Sequence, residues 1–356
     1  MDPVRFAIIG SGWRSAFLAR LARAAPERLR VVAVVARTEA EAQRIAAEWG
    51  VKAVRSIGEA LAERPEFAVS AVSWPSMPGV VRELVAAGAR VMAETPPAPD
   101  LDGLRSLWQD VGASGLVEVG EQYVLMPGHA SRLVLARDGV IGTPTSVEIA
   151  STHLYHAVSL IRAYLGVGME AVTVNARSFA APLADPLRPA GWVGDPRPEP
   201  RTTTIATLDF GDGRMGLYDF VENQWWNPLR ARRIVVRGSL GEIVDDVVTR
   251  LTVDGPVTSP IVYRRTGVDM NLEGNEVVHA SFDGRVIYRN PWVGTRLSED
   301  DIAVASHLDA VGRWARDDGP APYPLAQACQ DHALGLAIEA SARTGADVRV
   351  PGEAWS

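Results

Sequence analysis

The stretch Phe6-Ala7-Ile8-Ile9-Gly10-Ser11-Gly12-Trp13-Arg14-Ser15 decides the fold, because an apolar strand runs into a glycine turn and then into a helix. Gly10 allows a tight turn, Gly12 lets the backbone approach a pyrophosphate, and the small Ser15 still permits close packing of helix on strand. The helix amino terminus offers free N–H groups and the positive end of its dipole to phosphates. The pattern indicates a dinucleotide site; in the alternative, the glycines only form a turn.

The first part of the chain alternates short apolar strands with helices rich in Ala, Arg, Glu and Leu. This alternation predicts right-handed βαβ units and therefore an α/β Rossmann domain, with a parallel doubly wound sheet. We assign residues 1–122 to this dinucleotide-binding domain. The predicted strands are Val4–Ile9, Val31–Ala36, Val69–Ser73, Val91–Ala93 and Leu116–Val119, and the predicted helices are Ala16–Ala25, Glu39–Trp49 and Val80–Ala87.

The pattern changes after Gly142-Thr143-Pro144, and we assign residues 123–356 to an α+β domain for substrate binding and oligomerisation. Asp-Gly turns join consecutive strands there, which implies an antiparallel sheet. The C-terminal helices could pack back on the first domain. The predicted elements are a strand at Val147–Ser151, a helix at Tyr155–Leu165, a surface loop over about residues 181–200, hairpins at Gly211-Asp212-Gly213 and Asp283-Gly284, and helices at Ile302–Ala315 and Leu325–Thr344.

Composition and charge exclude several classes of protein. The 356 residues suffice for two domains, and 47% hydrophobic with 22% charged residues fits a globular chain. A net charge of −7 argues against a nucleic-acid or anionic-membrane surface. We expect a cytoplasmic protein, since neither a signal peptide nor a membrane-spanning apolar run is recognisable. The single Cys329 is expected to be a packed thiol, and no spacing predicts a metal site.

The end of the second strand, Val34-Val35-Ala36-Arg37-Thr38, bears on the choice of cofactor. An acidic residue there would bind the ribose 2′-hydroxyl of NAD, and Ala36 removes it. Arg37 and Thr38 instead offer a cation and a hydroxyl to a 2′-phosphate, and Arg14 could add a second cation. NADP(H) is therefore favoured, with NAD(H) possible; in the alternative, Arg37 stacks on the adenine of either cofactor.

The glycine turn and several later motifs resemble the Gfo/Idh/MocA family of NAD(P)-dependent oxidoreductases over most of the chain. The resemblance implies a Rossmann domain followed by an α+β domain with a large open antiparallel sheet, often an oligomer interface. A homo-oligomer, either a dimer or a tetramer, and a small-molecule substrate between the domains are therefore expected. The motifs are Ser73-Trp74-Pro75-Ser76, Gly88-Ala89-Arg90-Val91-Met92-Ala93-Glu94-Thr95-Pro96, Gly139-Val140-Ile141-Gly142, the His156 to Gly166 helix, Arg237–Glu242 and Ser341–Gly345.

The resemblance also implies which residues contact the cofactor and do the chemistry. Besides Gly10–Arg14, the cofactor contacts are Ser73, Trp74 and Pro75 after one strand and Glu94, Thr95 and Pro96 after the next. The family carries a lysine after the motif's glutamate, and an aspartate four residues before a histidine. The histidine position is His156, whereas the lysine and aspartate positions are Thr95 and Thr152.

Hydride transfer needs a group that gives or takes a proton, and His156 is the first candidate. His153 lies beside it in sequence, and Tyr123 follows the last Rossmann strand, where open parallel sheets bind ligands. In the alternative, His156 is a hydrogen-bonded interdomain histidine. The other histidines are expected to be structural. The pair Trp225-Trp226 could stack on a sugar ring or fill an oligomer interface.

Three functions fit these residues. The leading interpretation is an NAD(P)-dependent oxidoreductase acting on a sugar or sugar derivative. A reductase of imines or conjugated double bonds is the second, since some relatives with that activity also lack the lysine. A nucleotide-binding regulatory protein without catalysis is the third.

Overall fold

The computed structural model describes residues 2–188, 190–267, 269, 271 and 274–356. Its first part contains every strand and helix predicted there, with small shifts at their ends. The elements are β1 (Val4–Ile9), α1 (Trp13–Ala24), β2 (Leu29–Val35), α2 (Glu39–Trp49), β3 (Ala53–Val54), α3 (Ile57–Ala62), β4 (Phe67–Ser70), α4 (Met77–Ala86), β5 (Val91–Ala93), α5 (Leu101–Val111) and β6 (Val117–Val119).

These strands form a six-stranded parallel sheet in the order β3-β2-β1-β4-β5-β6, which confirms the Rossmann prediction. Both faces of β1 are buried, with Phe6 and Ile8 in one apolar cluster and Ala7 and Ile9 in another. The strand order reverses between β1 and β4, so a crevice opens at their carboxyl ends. Gly10 begins the turn there with φ +122°, and a Cβ at this position would lie 2.3 Å from the carbonyl oxygen of Ala71.

The second part is built around a large sheet. Its elements are α6 (Pro127–Arg137), β7 (Pro144–Ala150), α7 (Leu154–Leu165), β8 (Val172–Leu183), β9 (Leu187–Arg188), β10 (Gly191–Trp192), β11 (Glu199–Asp209), β12 (Met215–Val221), β13 (Arg233–Gly238), β14 (Gly241–Val244), β15 (Val247–Thr252), β16 (Gly255–Pro260), β17 (Val262–Thr266), β18 (Glu276–Phe282), β19 (Arg285–Arg289), α8 (Glu299–Ala315), α9 (Leu325–Thr344) and β20 (Val348–Val350).

Nine strands form this sheet in the order β16-β15-β14-β13-β7-β12-β11-β8-β20, and β17, β18 and β19 form a smaller one. Neighbouring strands are antiparallel except β7 and β12, which run parallel, so the predicted antiparallel sheet is mixed at one pair. Side chains alternate along β11, with Ala206 and Leu208 buried while Ile205 and Thr207 are exposed. Helices α7 and α9 pack together beneath the buried face.

The surface loop predicted over about residues 181–200 is shorter than expected and occupies residues 184–188 and 190–198. Strands β8 and β11 continue into this region as a ladder that begins at Glu199 opposite Leu183, and β9 and β10 form a short hairpin. Pro182 and Pro200, whose type suggested a loop, stand opposite each other near the end of the ladder, where a missing N–H is tolerated. Pro189 lies outside the described residues.

The C-terminal helices complete both parts of the molecule. Ser298 caps α8 in a capping box with Asp301, and Ile302, Leu308 and Val311 of α8 share an apolar cluster with β1. Cys329 of α9 is fully buried and unpaired, which confirms the packed thiol. Among the described helices, none has the length and apolar character to cross a membrane.

Candidate active site

A cleft of 1590 Å³ lies at the carboxyl ends of the Rossmann strands and is closed on its other side by the second domain. Sites for one small ligand usually measure about 300–1,000 Å³, so the cleft has room for a cofactor and a substrate together. Most predicted site residues line it: Gly10, Ser11, Gly12, Trp13, Arg14, Arg37, Ser73, Trp74, Glu94, Thr95, Tyr123, His153 and His156.

Three predicted cofactor contacts lie outside this described lining. The hydroxyl of Thr38 accepts a hydrogen bond from the Glu41 N–H at 3.2 Å and caps α2. Pro75 is in the short helical turn after β4, and Pro96 follows Thr95 through a cis peptide bond.

The glycine turn has the features that a pyrophosphate requires. Gly12 begins α1 without a side-chain cap, and the first turn of the helix carries no acidic residue. A Cβ on Gly12 would meet no atom within 4 Å, so the backbone is open towards the cleft. The free N–H groups and the helix dipole can therefore bind phosphate oxygens.

Charged side chains gather where the adenosine half of a dinucleotide would lie. Arg37 is exposed, and Arg55 donates a hydrogen bond to the Arg37 carbonyl. Glu41 accepts hydrogen bonds from the Ser11 hydroxyl at 2.8 Å and the Arg37 N–H at 3.1 Å. The bond from Ser11 lowers the pKa of Glu41. Arg14, predicted as a second cation for a 2′-phosphate, pairs with Glu94 at 2.8 Å, and Arg55 lines the cleft together with Arg37.

The opposite end of the cleft contains a buried His–Glu pair. Nδ1 of His156, in the first turn of α7, lies 2.6 Å from Oε2 of Glu121, just after β6. Oε1 of the same carboxylate accepts the Tyr123 N–H at 3.1 Å. A carboxylate on Nδ1 fixes the ring and leaves Nε2 to exchange a proton with a substrate.

Two tyrosines flank the His156 ring, each with its ring centroid 4.4 Å away. Burial raises the pKa of both Tyr123 and Tyr155, so both phenols are protonated near neutral pH and can donate hydrogen bonds. The nearby Thr95 side chain partly offsets the effect of burial on the pKa of Tyr155. The position of the family's lysine therefore lies beside a phenol.

An aromatic wall closes the substrate end. The His153 ring packs edge-on against Trp225 at 4.7 Å, and Trp225 stacks on Trp226 at 5.9 Å. Burial lowers the pKa of His153 to about 3, so its imidazole is neutral at ordinary pH. Of the neighbouring amides, Gln224 is engaged with backbone carbonyls, including that of Ala150 at 2.7 Å.

Sequence reasoning did not propose Glu121, Glu41, Arg55 or Arg232, all of which line the cleft or contact residues that do. A signal was available for Glu121, since it follows a Rossmann strand as closely as Tyr123 does. Among the described residues, no three His, Cys, Asp or Glu side chains are grouped so that they could hold a metal ion.

A glycine turn open to a dinucleotide, facing a histidine–carboxylate pair across a two-domain cleft, defines an NAD(P)-dependent oxidoreductase. Residues 4–121 match a family described as an oxidoreductase family with an NAD-binding Rossmann fold. This match covers the Rossmann domain, where it confirms the resemblance to the Gfo/Idh/MocA family. The comparison with curated protein sequences found no match.

Solved structures share the fold over nearly the whole chain. Levoglucosan dehydrogenase, in complex with NADH and levoglucosan, is 17% identical, with 98% of this chain and 100% of that one covered and a TM-score of 0.70. A myo-inositol dehydrogenase from Corynebacterium glutamicum is 18% identical, with coverage of 99% and 100% and a TM-score of 0.67. An oxidoreductase from Agrobacterium radiobacter, in complex with NAD⁺, L-tartaric acid and magnesium, is 15% identical, with coverage of 98% and 98% and a TM-score of 0.68. These likenesses establish the fold.

Proposed function

We propose that the chain is an NADP(H)-dependent dehydrogenase of a sugar or sugar derivative, with His156 as the acid or base. The observation that carries this is the 2.6 Å bond between His156 and Glu121 in the cleft. Two of the structural neighbours are named as a levoglucosan dehydrogenase and a myo-inositol dehydrogenase, which supports a polyhydroxylated substrate.

A nicotinamide cofactor held at the Gly10–Gly12 turn would supply the chemistry of hydride transfer. In the direction of oxidation, Nε2 of His156 takes the proton of the substrate hydroxyl while its carbon loses the hydride, and a carbonyl results. Glu121 holds the ring through Nδ1 and stabilises the imidazolium that forms. The neutral phenols of Tyr123 and Tyr155 can donate hydrogen bonds to the reacting oxygen. In the direction of reduction, His156 returns the proton.

Preference for NADP(H) is part of the proposal. Ala36 leaves no carboxylate at the end of β2, and two arginines, Arg37 and Arg55, border the cleft beside it. A guanidinium forms charge-assisted hydrogen bonds with a phosphate, whereas the 2′-hydroxyl of NAD offers no such charge.

The test of the function is substitution of His156 by Asn. We expect unchanged NADPH affinity and a loss in single-turnover hydride transfer of roughly 10²–10⁴-fold, the usual contribution of an acid or base. The reaction is followed by NADPH absorbance with NADP⁺ and a panel of polyols and aldoses that begins with levoglucosan and myo-inositol. His279→Asn, outside the cleft on β18, is the matched control and should be unaffected.

Reduction of an imine or conjugated double bond is the second candidate, and the neutral phenol of Tyr123 beside His156 favours it. It predicts the opposite pattern, in which Tyr123→Phe abolishes turnover while His156→Asn keeps it. Cofactor binding without turnover of either substrate class would support a regulatory protein instead.

A further inference from the structure

The arginines of the cleft fall into two groups. Three of them are neutralised by carboxylates at short distance. The pairs are Arg14 with Glu94 at 2.8 Å, Arg132 with Asp246 at 2.8 Å and Arg265 with Glu299 at 2.7 Å. Among the described residues, Arg37, Arg55 and Arg232 have no carboxylate within the 4.0 Å of an ion pair. The first two lie at the adenosine end, where the proposed function gives them a 2′-phosphate.

Arg232 is the unpaired cation of the substrate end. It directly precedes β13, and its Nη2 donates a hydrogen bond to the Trp225 carbonyl, so the guanidinium lies against the aromatic wall. Its charge also acts on the Tyr123 phenol, where it opposes the rise in pKa that burial causes. Both contacts place a positive charge beside the position where a substrate must meet His156.

Polar atoms without partners lie at the same end. The Ser151 hydroxyl and Nδ1 of His153 are buried and have no hydrogen-bond partner among the described residues. Both residues line the cleft, at the end of β7 and the start of α7. Buried polar groups are nearly always satisfied in native proteins, so a ligand with hydroxyl groups fits these two atoms.

Three carboxylates of the cleft, Glu41, Glu83 and Asp300, have no arginine partner at ion-pair distance among the described residues. Asp300 accepts a hydrogen bond from Nε2 of Gln122 at 3.2 Å, and its charge contributes to the raised pKa of both Arg14 and Tyr123. Asp300 thus acts on both sides of the cleft, but no ion pair joins it to Arg232 among the described residues.

We propose that the substrate is a sugar acid, whose carboxylate binds Arg232 and whose hydroxyls bind Ser151 and His153. This inference rests on the proposed function and narrows its substrate class. One guanidinium matches the single charge of a carboxylate and binds it through two parallel hydrogen bonds. A phosphate monoester carries roughly −1.5 to −2 charges near neutral pH, which one arginine would leave partly uncompensated.

The test is calorimetric titration of the NADPH-loaded protein with pairs of compounds that differ only in the carboxylate. The pairs are methyl β-D-glucuronide with methyl β-D-glucoside, the corresponding galacto pair, and D-gluconate with D-glucitol. None of them contains a free carbonyl, so NADPH cannot reduce them during the measurement. In at least one pair we expect the acid to bind about 10- to 100-fold more tightly, the effect of a charge-assisted bidentate contact.

Variants identify the residue responsible. Arg232→Gln should abolish the preference for the acid while NADPH binding is unchanged, and Arg232→Lys should keep part of it. Arg230→Gln removes the same charge from the same loop but outside the cleft lining, and should behave as wild type. Glucose 6-phosphate should bind more weakly than the preferred acid.

Three results would overturn the inference: no acid binds, the neutral partners bind as tightly as the acids, or the preference survives in Arg232→Gln. Tighter binding of glucose 6-phosphate than of every acid would overturn the choice of a carboxylate. Failure here is separable from failure of the proposed function. His156-dependent turnover of neutral sugars would keep the function without the acid preference, and loss of hydride transfer from all substrates would refute the function itself.

Discussion

The proposed preference for NADP(H) depends on three side chains at the adenosine end, Arg37, Arg55 and Glu41. We expect NADPH to bind more tightly than NADH, and Arg37→Ala to weaken NADPH by about tenfold with little effect on NADH, since one charge-assisted contact is lost. Glu41→Gln should strengthen NADPH, because it removes a negative charge held beside Arg37 by Ser11. Quenching of the tryptophans in the cleft, Trp13 and Trp74, reports binding. Equal affinity for both cofactors would contradict the preference.

Thr95 stands where the family carries a lysine, and its position beside the Tyr155 phenol predicts what restoring the lysine would do. Thr95→Lys should lower the native rate, because it removes this neighbouring hydroxyl and places a cation beside the positively charged oxidised nicotinamide. Thr95→Val, which removes the hydroxyl without adding charge, separates the two effects. Steady-state rates with the preferred substrate provide the measurement. A large gain in activity for Thr95→Lys would show that the chain is a dehydrogenase that merely lost its lysine.

Site residues that belong to local sequence motifs could be predicted, whereas residues that reach the site through tertiary contacts could not. The glycine turn and His156 belong to motifs whose spacing is visible in the sequence. The partner of His156 is not visible in that way, since Glu121 lies 35 positions away and meets the ring only because β6 ends beside the first turn of α7. The local sequence around Arg232 does not mark it as a site residue either. The role that we propose for it depends on the lack of a carboxylate partner among the described residues, whereas Arg132 and Arg265 in the same cleft are paired with carboxylates.

The same contrast holds for strands and helices: those with a local sequence pattern were predictable, and those formed by pairing between distant strands were not. The Rossmann strands were predictable because buried parallel strands are continuous apolar runs, and α9 was found at Leu325–Thr344 by its caps and composition. The outer part of the ladder between β8 and β11 was missed because it contains Pro182 and Pro200 and is exposed on both faces, so no buried apolar pattern marks it. Pairing between those strands, rather than burial of their side chains, determines that they continue.

Helices α6, α8 and α9 each bury a histidine, and these predict how stability depends on pH. Burial lowers the pKa of His129 to about 3 and those of His307 and His332 to about 4, from an ordinary value of 6.5. Below pH 6.5 the unfolded chain therefore binds more protons than the folded one, and the free energy of unfolding falls as the pH falls. Each histidine can contribute up to about 3 kcal/mol.

Glu118 acts in the opposite direction, since burial raises its pKa to about 7 and its contribution is lost as pH rises through that value. Burial also lowers the pKa of His153, and it raises those of Asp331 and Glu339. The four histidines change protonation between pH 7 and pH 5 in the unfolded chain only, so we expect urea midpoints to fall over that range. His332→Gln should flatten that slope, and His279→Asn, on β18, should leave it unchanged. A midpoint that does not change between these pH values would contradict the buried, neutral histidines.

One face of the nine-stranded sheet packs against α7 and α9, and the opposite face is not covered by these helices. Along β11, β12, β14 and β15 the residues that alternate with buried ones point to this face, and they include exposed apolar side chains. Examples are Ile205 on β11 and Val247 on β15, whose side chains are each 45% exposed. Exposed apolar side chains distributed over one sheet face in this way are compatible with a surface where two proteins meet. The face also carries ion pairs, such as Arg233 with Glu148 at 3.0 Å, which could form polar contacts with a partner.

We propose that two copies of the chain associate through this face, in the manner that the sequence resemblance implied. A twofold axis would place the same surface on both partners, so a single substitution acts twice at the interface. Light scattering behind size exclusion should therefore give a mass of at least twice 38.3 kDa for the wild type. Ile205→Glu combined with Val247→Glu should shift the mass to that of the monomer, since four charges would have to be buried.

Val253→Glu is the matched control, because Val253 is fully exposed in the turn between β15 and β16 and outside the face. A monomeric wild type, or an oligomer that survives the double substitution, would show that the face is not the interface.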